Sequence, residues 1–216
     1  MPNLILIDGP PGSGKSSLAT ALAEALPTYK VCLEMDTAHP LHPMRVGPNG
    51  ADFSELNTWD IRKLGDLMLA KWDSFLAQPG TYILESYPYQ SHLRVLWQMD
   101  ATEDLLHDWL SRLHSMLREH KPVLVMIGFR DFESEFHTVC ERRGQEWTDY
   151  IMNFAQTTAY GRSRGMRRDS SMDFFRAYQL EVARWAESWP FKKLEIQAWT
   201  SSPPEQVEAI LGLVSD

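Results

Sequence analysis

The sequence predicts a single α/β domain in which helices cover both faces of a five-stranded parallel sheet, a three-layer doubly wound fold. Five short runs are almost continuously apolar, as strands buried on both faces are. Helical periodicity separates these runs, so the strands need right-handed crossover connections. The 216 residues are 44% hydrophobic and contain no repeat, linker or change of composition that would mark a second domain. We therefore predict one domain over residues 1–216.

The predicted elements alternate along the chain. The strands are Asn3–Asp8, Lys30–Met35, Thr81–Glu85, Pro122–Phe129 and Lys193–Ala198. The helices are Ser16–Ala25, Leu56–Leu76, Thr102–His120, Phe136–Ala159 with an internal break, Ser171–Ser188 and Pro204–Val214. Asp100 and Glu103 have the spacing of a capping box at the start of the third helix. Pro190 closes the fifth helix before the last strand.

A phosphate-binding motif follows the first predicted strand. Residues 9–16 read Gly-Pro-Pro-Gly-Ser-Gly-Lys-Ser, the G-x-x-x-x-G-K-[ST] pattern, between a strand and a helix as that pattern requires. Its glycines let successive backbone N–H groups point at phosphate oxygens. Lys15 is expected to reach the β- and γ-phosphates and Ser16 to ligate Mg²⁺. The predicted nucleotide-binding residues are Gly9, Pro10, Pro11, Gly12, Ser13, Gly14, Lys15, Ser16 and Ser17.

Acidic residues follow the second and third strands, where ligands bind in a sheet of this kind. Glu85 ends an apolar strand beside the phosphate loop and is the candidate that organises Mg²⁺ together with Ser16. Asp36 is the candidate that orients or deprotonates a substrate hydroxyl, and its alternative role is an N-cap or a solvated loop carboxylate. Glu34 is the second candidate for the residue that orients or deprotonates the acceptor hydroxyl. Residues 87–90 lie near any acceptor, or else they pack beneath a loop.

Two groups of arginines are candidates for binding the transferred phosphate. Arg142 and Arg143 follow the fourth strand, and the second group is Arg162, Arg164, Arg167 and Arg168. Guanidinium groups suit phosphate, and a lid that closes over transferring phosphates needs them. Arg142, Arg143 and Arg164 are therefore candidate catalytic residues. The alternative is a solvated loop in which the second group pairs with Asp169 and Asp173.

Two irregular segments, near 37–57 and 130–170, are interpreted as insertions that contact the substrate or form the lid. The first contains His39 and His42 in the sequence His-Pro-Leu-His-Pro. Two histidines without further ligands nearby indicate a loop stiffened by proline and not a metal site.

With these residues in place, the chain resembles the P-loop kinase superfamily of nucleotide and small-molecule kinases. The resemblance is specific at Gly9–Ser16. The last helix–strand–helix segment of the chain is similar to that of thymidylate-kinase-like members. The chain also resembles small bacterial P-loop proteins that share an acidic-x-Asp-x-x-His-Pro stretch. The resemblance implies the strand order 2-3-1-4-5 and ATP and Mg²⁺ as ligands. Glu85-Ser86 departs from the Asp-Arg pair of thymidylate kinases, and the guanine-binding Asn-Lys-x-Asp of GTPases is absent.

Composition disfavours several classes of function. A net charge of −8 argues against nucleic acid and anionic membranes as partners, and no apolar stretch reaches membrane-spanning length. Cys32 and Cys140 form no C-x-x-C pair, which gives no zinc framework and fits a reducing compartment. We expect a cytoplasmic protein.

These observations predict an ATP- and Mg²⁺-dependent phosphotransferase that acts on a small acceptor, a nucleoside, a nucleotide or another hydroxyl-bearing metabolite. The alternative is a nucleotide-binding ATPase switch that acts through a protein partner, for which exposed tryptophans could serve as anchors. The sequence favours a core or helix-packing role for the tryptophans, among them Trp59, Trp72, Trp97, Trp185, Trp189 and Trp199. A non-catalytic nucleotide binder is a third hypothesis, against which the Lys15-Ser16 pair argues. The acceptor, the base preference and the oligomeric state stay open.

Overall fold

The computed structural model describes residues 2–42 and 59–215. Within these residues a five-stranded parallel sheet has the order β2-β3-β1-β4-β5, and helices lie on both of its faces. The strands are β1 (Leu4–Asp8), β2 (Lys30–Cys32), β3 (Tyr82–Glu85), β4 (Val123–Gly128) and β5 (Lys193–Gln197). The predicted fold class and the strand order implied by the resemblance are confirmed.

The central strand β1 is buried along its whole length, which explains its continuous apolar sequence. In register, Ile5 lies between Ile83 of β3 and Val123 of β4. Because all five strands run in the same direction, the residues that follow β1, β2 and β3 emerge at one edge of the sheet.

The prediction that β2 extends to Met35 is wrong. The strand ends at Cys32 because the next residues form a turn: Leu33 N–H donates to a carboxylate oxygen of Asp36 at 2.7 Å, and Asp36 N–H donates to Leu33 O at 3.0 Å. The turn changes the direction of the chain directly after the strand, so strand alternation does not apply to Glu34.

Nine α-helices lie within residues 2–42 and 59–215. They are α1 (Lys15–Ala25), α2 (Ile61–Leu76), α3 (Arg94–Gln98), α4 (Glu103–Leu117), α5 (Phe132–Arg143), α6 (Gln145–Thr157), α7 (Ala159–Ser163), α8 (Ser171–Glu187) and α9 (Pro203–Ser215). None of these helices is long and apolar enough to cross a membrane.

Local capping moves the helix boundaries from the predicted ones. Asp60 caps α2 by accepting from Lys63 N–H at 2.9 Å, and the predicted start at Leu56 lies outside the described residues. Thr102, and not Asp100, caps α4, since its hydroxyl faces Leu105 N–H. The predicted helix over Phe136–Ala159 is two helices, which meet at a glycine of φ 84°.

A buried helical segment lies between β3 and α4, where periodicity predicts nothing regular. It consists of a π-helical turn, Tyr89–Leu93, followed directly by α3, and every residue of both is buried. Because the segment has no side that faces solvent, its polar residues lie inside the protein and do not form the amphipathic pattern that identifies surface helices.

His92 of this segment connects α2 to the loop after β2. Its Nδ1 accepts from Trp72 Nε1–H at 3.1 Å, which leaves Nε2–H to donate to Leu41 O at 2.9 Å. The Trp72 contact needs the neutral ring because a protonated Nδ1 cannot accept a hydrogen bond, and burial lowers the pKa of His92 to about 3. The same loop is held by stacking of His39 on Tyr87, at 4.4 Å between ring centres, and by a 2.8 Å hydrogen bond between His42 Nδ1 and the Tyr87 hydroxyl.

We predict that His92 makes the fold sensitive to acid. The unfolded chain binds a proton at His92 below about pH 6.5, whereas the folded chain does not until about pH 3, so stability is lost as pH falls through this interval. For His92 alone, the free energy of unfolding falls by about 2 kcal/mol at pH 5. Chemical denaturation at pH 7 and pH 5 should give a smaller change in the free energy of unfolding for His92→Gln than for the wild type. His107→Gln, at an exposed position on α4, is the matched control, and equal changes in all three proteins would contradict the prediction.

Candidate active site

The loop of residues 9–16 connects β1 to α1 and packs against the core. Gly9 has a φ of 148°, and a Cβ there would lie 2.1 Å from Ile127 O. Gly12 has a φ of 81°, and its Cβ would lie 2.4 Å from a methyl group of Val139 on α5. Both positions require glycine because the backbone is left-handed and no room is left for a side chain. The loop is thus fixed between β4 and α5.

Lys15 is buried at the start of α1, and its ammonium group donates to Pro10 O at 2.9 Å across the loop. Burial lowers its pKa, while the carboxylates of Glu34, Glu85 and Asp8 raise it, in that order of effect. A buried cation that faces the backbone of the phosphate loop is placed to bind phosphate oxygens.

Ser16 and Glu85 meet as the sequence predicts. The Ser16 hydroxyl donates to Glu85 Oε1 at 3.0 Å, and the other oxygen of this buried carboxylate accepts from Glu34 N–H at 2.7 Å. A hydroxyl and a carboxylate are ligands that Mg²⁺ prefers, and Mg²⁺ takes its other ligands from water and nucleotide phosphates. Within the described residues no group of three or more His, Cys, Asp or Glu could form a separate metal site. The hydroxyl of Ser16 and the carboxylate of Glu85 fit an Mg²⁺ ion that takes its other ligands from nucleotide and water.

The structure brings Glu34, and not Asp36, to the phosphate loop. Asp36 is exposed and its carboxylate caps the turn after β2, which is the alternative role considered for it above. The carboxylate of Glu34 accepts from Gln90 Nε2 at 2.7 Å and from the Ser91 hydroxyl at 3.3 Å. Among the charged groups near Lys15, Glu34 has the largest effect on its pKa.

The predicted arginines are distributed over several surfaces. Arg142 lies over the ring of Trp199, with 4.9 Å between the guanidinium carbon and the ring centre, and Arg143 lies 5.9 Å from the ring centre of Trp147. Arg142 follows Val139 by one turn of α5, and Val139 contacts Gly12, so Arg142 is close to the phosphate loop.

The second group of arginines is exposed, and Arg164 and Arg168 contact neighbouring residues. Arg164 pairs with Asp100 at 2.7 Å and lies 3.6 Å from the ring centre of Tyr160. Arg168 pairs with Asp149. Asp173, considered above as a partner for this group, pairs instead with Arg176. The role of this group as a lid stays a prediction.

Arg94 and Asp8 lie at the site but are absent from the sequence prediction. Arg94, in the first turn of α3, is buried, and its Nε donates to Gln90 O at 2.6 Å. Its positive charge lowers the pKa of Lys15, so the two cations are near each other. Asp8 is the last residue of β1 and is fully buried. Neither belongs to a motif, and the one available signal was a charged residue within an otherwise apolar segment.

Solved structures with a similar fold are P-loop kinases and nucleotide-binding relatives. The YorR protein of Bacillus subtilis, in complex with phosphorylated GDP, is 16% identical with a TM-score of 0.55, over 98% of this chain and 95% of that one. The deoxyadenosine kinase of M. mycoides with bound dATP is 12% identical with a TM-score of 0.51, over 99% of both chains. A shikimate kinase of Bacteroides thetaiotaomicron is 12% identical with a TM-score of 0.53, over 99% of this chain and 98% of that one.

No protein-family model and no curated protein matches the sequence. At identities this low, the similarity establishes the fold, which is the α/β fold of P-loop kinases.

We predict that Gly12→Ala weakens Mg·ATP binding about tenfold more than Gly14→Ala does. Both glycines have a left-handed φ, 81° and 97°, but the new methyl group overlaps Val139 only at position 12 and has open space at position 14. Isothermal titration calorimetry of each variant measures the difference. Adding Val139→Ala to Gly12→Ala should recover part of the lost affinity. Equal losses for the two glycine variants, with no recovery in the double variant, would show that packing on α5 does not shape the loop.

Proposed function

We propose that the chain is an ATP- and Mg²⁺-dependent phosphotransferase that transfers the γ-phosphoryl group to a hydroxyl of a small metabolite. The observation that carries this proposal is the convergence of Lys15, the Ser16–Glu85 pair and Glu34 at the carboxyl ends of β1, β2 and β3. A phosphate-binding group, a place for Mg²⁺ and a further carboxylate are the parts that phosphoryl transfer requires.

On the donor side, the backbone N–H groups of the loop and the Lys15 ammonium hold the phosphates. Ser16 and Glu85 would hold Mg²⁺, which would supply positive charge against the negative charge of the phosphates. The exposed pair of Arg142 and Trp199 offers a flat cationic and aromatic surface on which a nucleotide base can stack. This assigns Arg142 to the base, in place of the phosphate role that the sequence suggested.

On the acceptor side, Glu34 takes the role that the sequence assigned to Asp36. Its two oxygens are held by Gln90 and Ser91, so the carboxylate has a fixed orientation toward the phosphate loop. The acceptor oxygen attacks the γ-phosphorus, the bond from that phosphorus to the bridging oxygen of ADP breaks, and the hydroxyl proton passes to Glu34.

The fold supports a small metabolite as the acceptor. The solved structures with this fold and a similar length include a kinase named for deoxyadenosine and one named for shikimate, both small hydroxyl-bearing compounds. We propose an acceptor of this size and chemistry, which a screen of nucleosides, nucleotides, sugars and hydroxy acids covers.

The proposal is tested by ADP release from Mg·ATP across such a library. Stimulation by one class of compound establishes a phosphotransferase and identifies its acceptor. Slow turnover that no compound stimulates would favour the nucleotide-binding switch, and the absence of Mg·ATP binding would overturn both hypotheses.

We predict that Glu34→Gln lowers acceptor-dependent turnover by roughly a hundredfold or more, because it removes the group that accepts the proton. The Kd for Mg·ATP should stay close to the wild-type value, whereas Lys15→Ala should abolish binding. Asp36→Asn is the matched control, since this carboxylate caps a turn on the surface, and it should retain near wild-type turnover. A loss in Asp36→Asn equal to that in Glu34→Gln would return the acceptor role to Asp36.

A further inference from the structure

A fully buried carboxylate, that of Asp8, lies directly before the phosphate loop and has no part in the steps above. Its Oδ1 accepts from Gly9 N–H at 2.8 Å and from Gln90 N–H at 3.2 Å, and its Oδ2 accepts from Tyr89 N–H at 2.6 Å. Three backbone N–H groups from two distant parts of the chain therefore meet on one side chain.

Strand formation alone does not require a carboxylate at this position. Burying a carboxyl group in the core is unfavourable, and burial raises the pKa of Asp8 to about 7 despite the nearby Lys15 and the three N–H donors. Tyr89 and Gln90 begin the π-helical turn, whose first N–H groups have no partner within the turn. Asp8 thus acts as a helix cap supplied from another element, immediately before the first residue of the phosphate loop.

The capped turn holds the acceptor carboxylate. Gln90 and Ser91 each donate to one oxygen of Glu34, and Glu34 N–H donates to Glu85, which accepts from Ser16. These contacts form a closed ring that starts at Asp8, passes through the turn, Glu34, Glu85 and Ser16, and returns along the phosphate loop to Gly9. The ring contains both the donor side and the acceptor side of the site.

We propose that Asp8 is a positioning residue that fixes Glu34 relative to the phosphate loop through the N–H groups of Tyr89 and Gln90. This inference rests on the function proposed above, in which Glu34 takes the acceptor proton. Asp8 touches neither substrate in this scheme, so its removal should affect turnover far more than nucleotide binding.

The test uses Asp8→Asn, which keeps the shape of the side chain and places an NH₂ group against at least one of the three N–H donors. With Mg·ATP and water as the only acceptor, we expect ADP release to fall about tenfold or more, while the Kd for Mg·ATP stays within about threefold of the wild type. In the Glu34→Gln background, Asp8→Asn should lower the rate of ADP release by less than about twofold, because the carboxylate that Asp8 positions is already absent.

If Asp8 had a purely structural role, Asp8→Asn would lower turnover equally in the wild-type and Glu34→Gln backgrounds. Ser171→Ala is the control, because the buried Ser171 hydroxyl donates to Met152 O, away from the ring, and its loss should lower the Tm without changing turnover. Equal costs of Asp8→Asn in the wild-type and Glu34→Gln backgrounds would overturn the positioning role. The absence of Mg·ATP binding by the wild type would overturn the proposed function itself.

If Asp8→Asn does not fold, Gln90→Leu tests the same ring from its other side. This variant removes the amide that donates to Glu34 and leaves the backbone N–H that Asp8 accepts. We expect the same loss of turnover with retained Mg·ATP affinity, and wild-type turnover in Gln90→Leu would overturn the inference.

Discussion

The site depends on how charge is balanced around the buried ammonium of Lys15. Three carboxylates, those of Asp8, Glu34 and Glu85, influence it, and Arg94 is the second buried cation nearby. Opposite charges offset the cost of burying each group, and every oxygen of the three carboxylates also accepts a hydrogen bond. The same balance makes it costly to remove any one member.

The parallel sheet makes this concentration of charge possible. β1, β2 and β3 are neighbours in the sheet and end at the same edge, so Asp8, the turn after Cys32 and Glu85 come together although up to 77 residues separate them along the chain. The buried turn at Tyr89–Leu93 then closes the group by presenting two backbone N–H groups to Asp8 and two side chains to Glu34. The fold brings the carboxylates to one edge of the sheet, and a few polar contacts fix their orientation.

The parts of the site that depend on local sequence could be predicted, and the parts that depend on distant contacts could not. The phosphate loop and Glu85 follow from short motifs beside apolar strands. The sequence favours Asp36 over Glu34 because it predicts that β2 continues to Met35, and only the turn that Asp36 itself caps reverses that preference. The role of Asp8 depends on N–H groups 81 and 82 residues away. Local sequence patterns do not predict hydrogen bonds between residues so far apart in the chain.

The rigidity of the acceptor side favours group transfer over a nucleotide-dependent switch. A switch needs a segment that changes its conformation when the γ-phosphate is lost. The described part of the loop after β2 is instead attached to the core at both ends: Glu34 by Gln90 and Ser91, and Leu41 by the buried His92. Phosphoryl transfer gains most of its rate from groups held in a fixed position relative to the phosphate, and a carboxylate held at both oxygens meets that requirement.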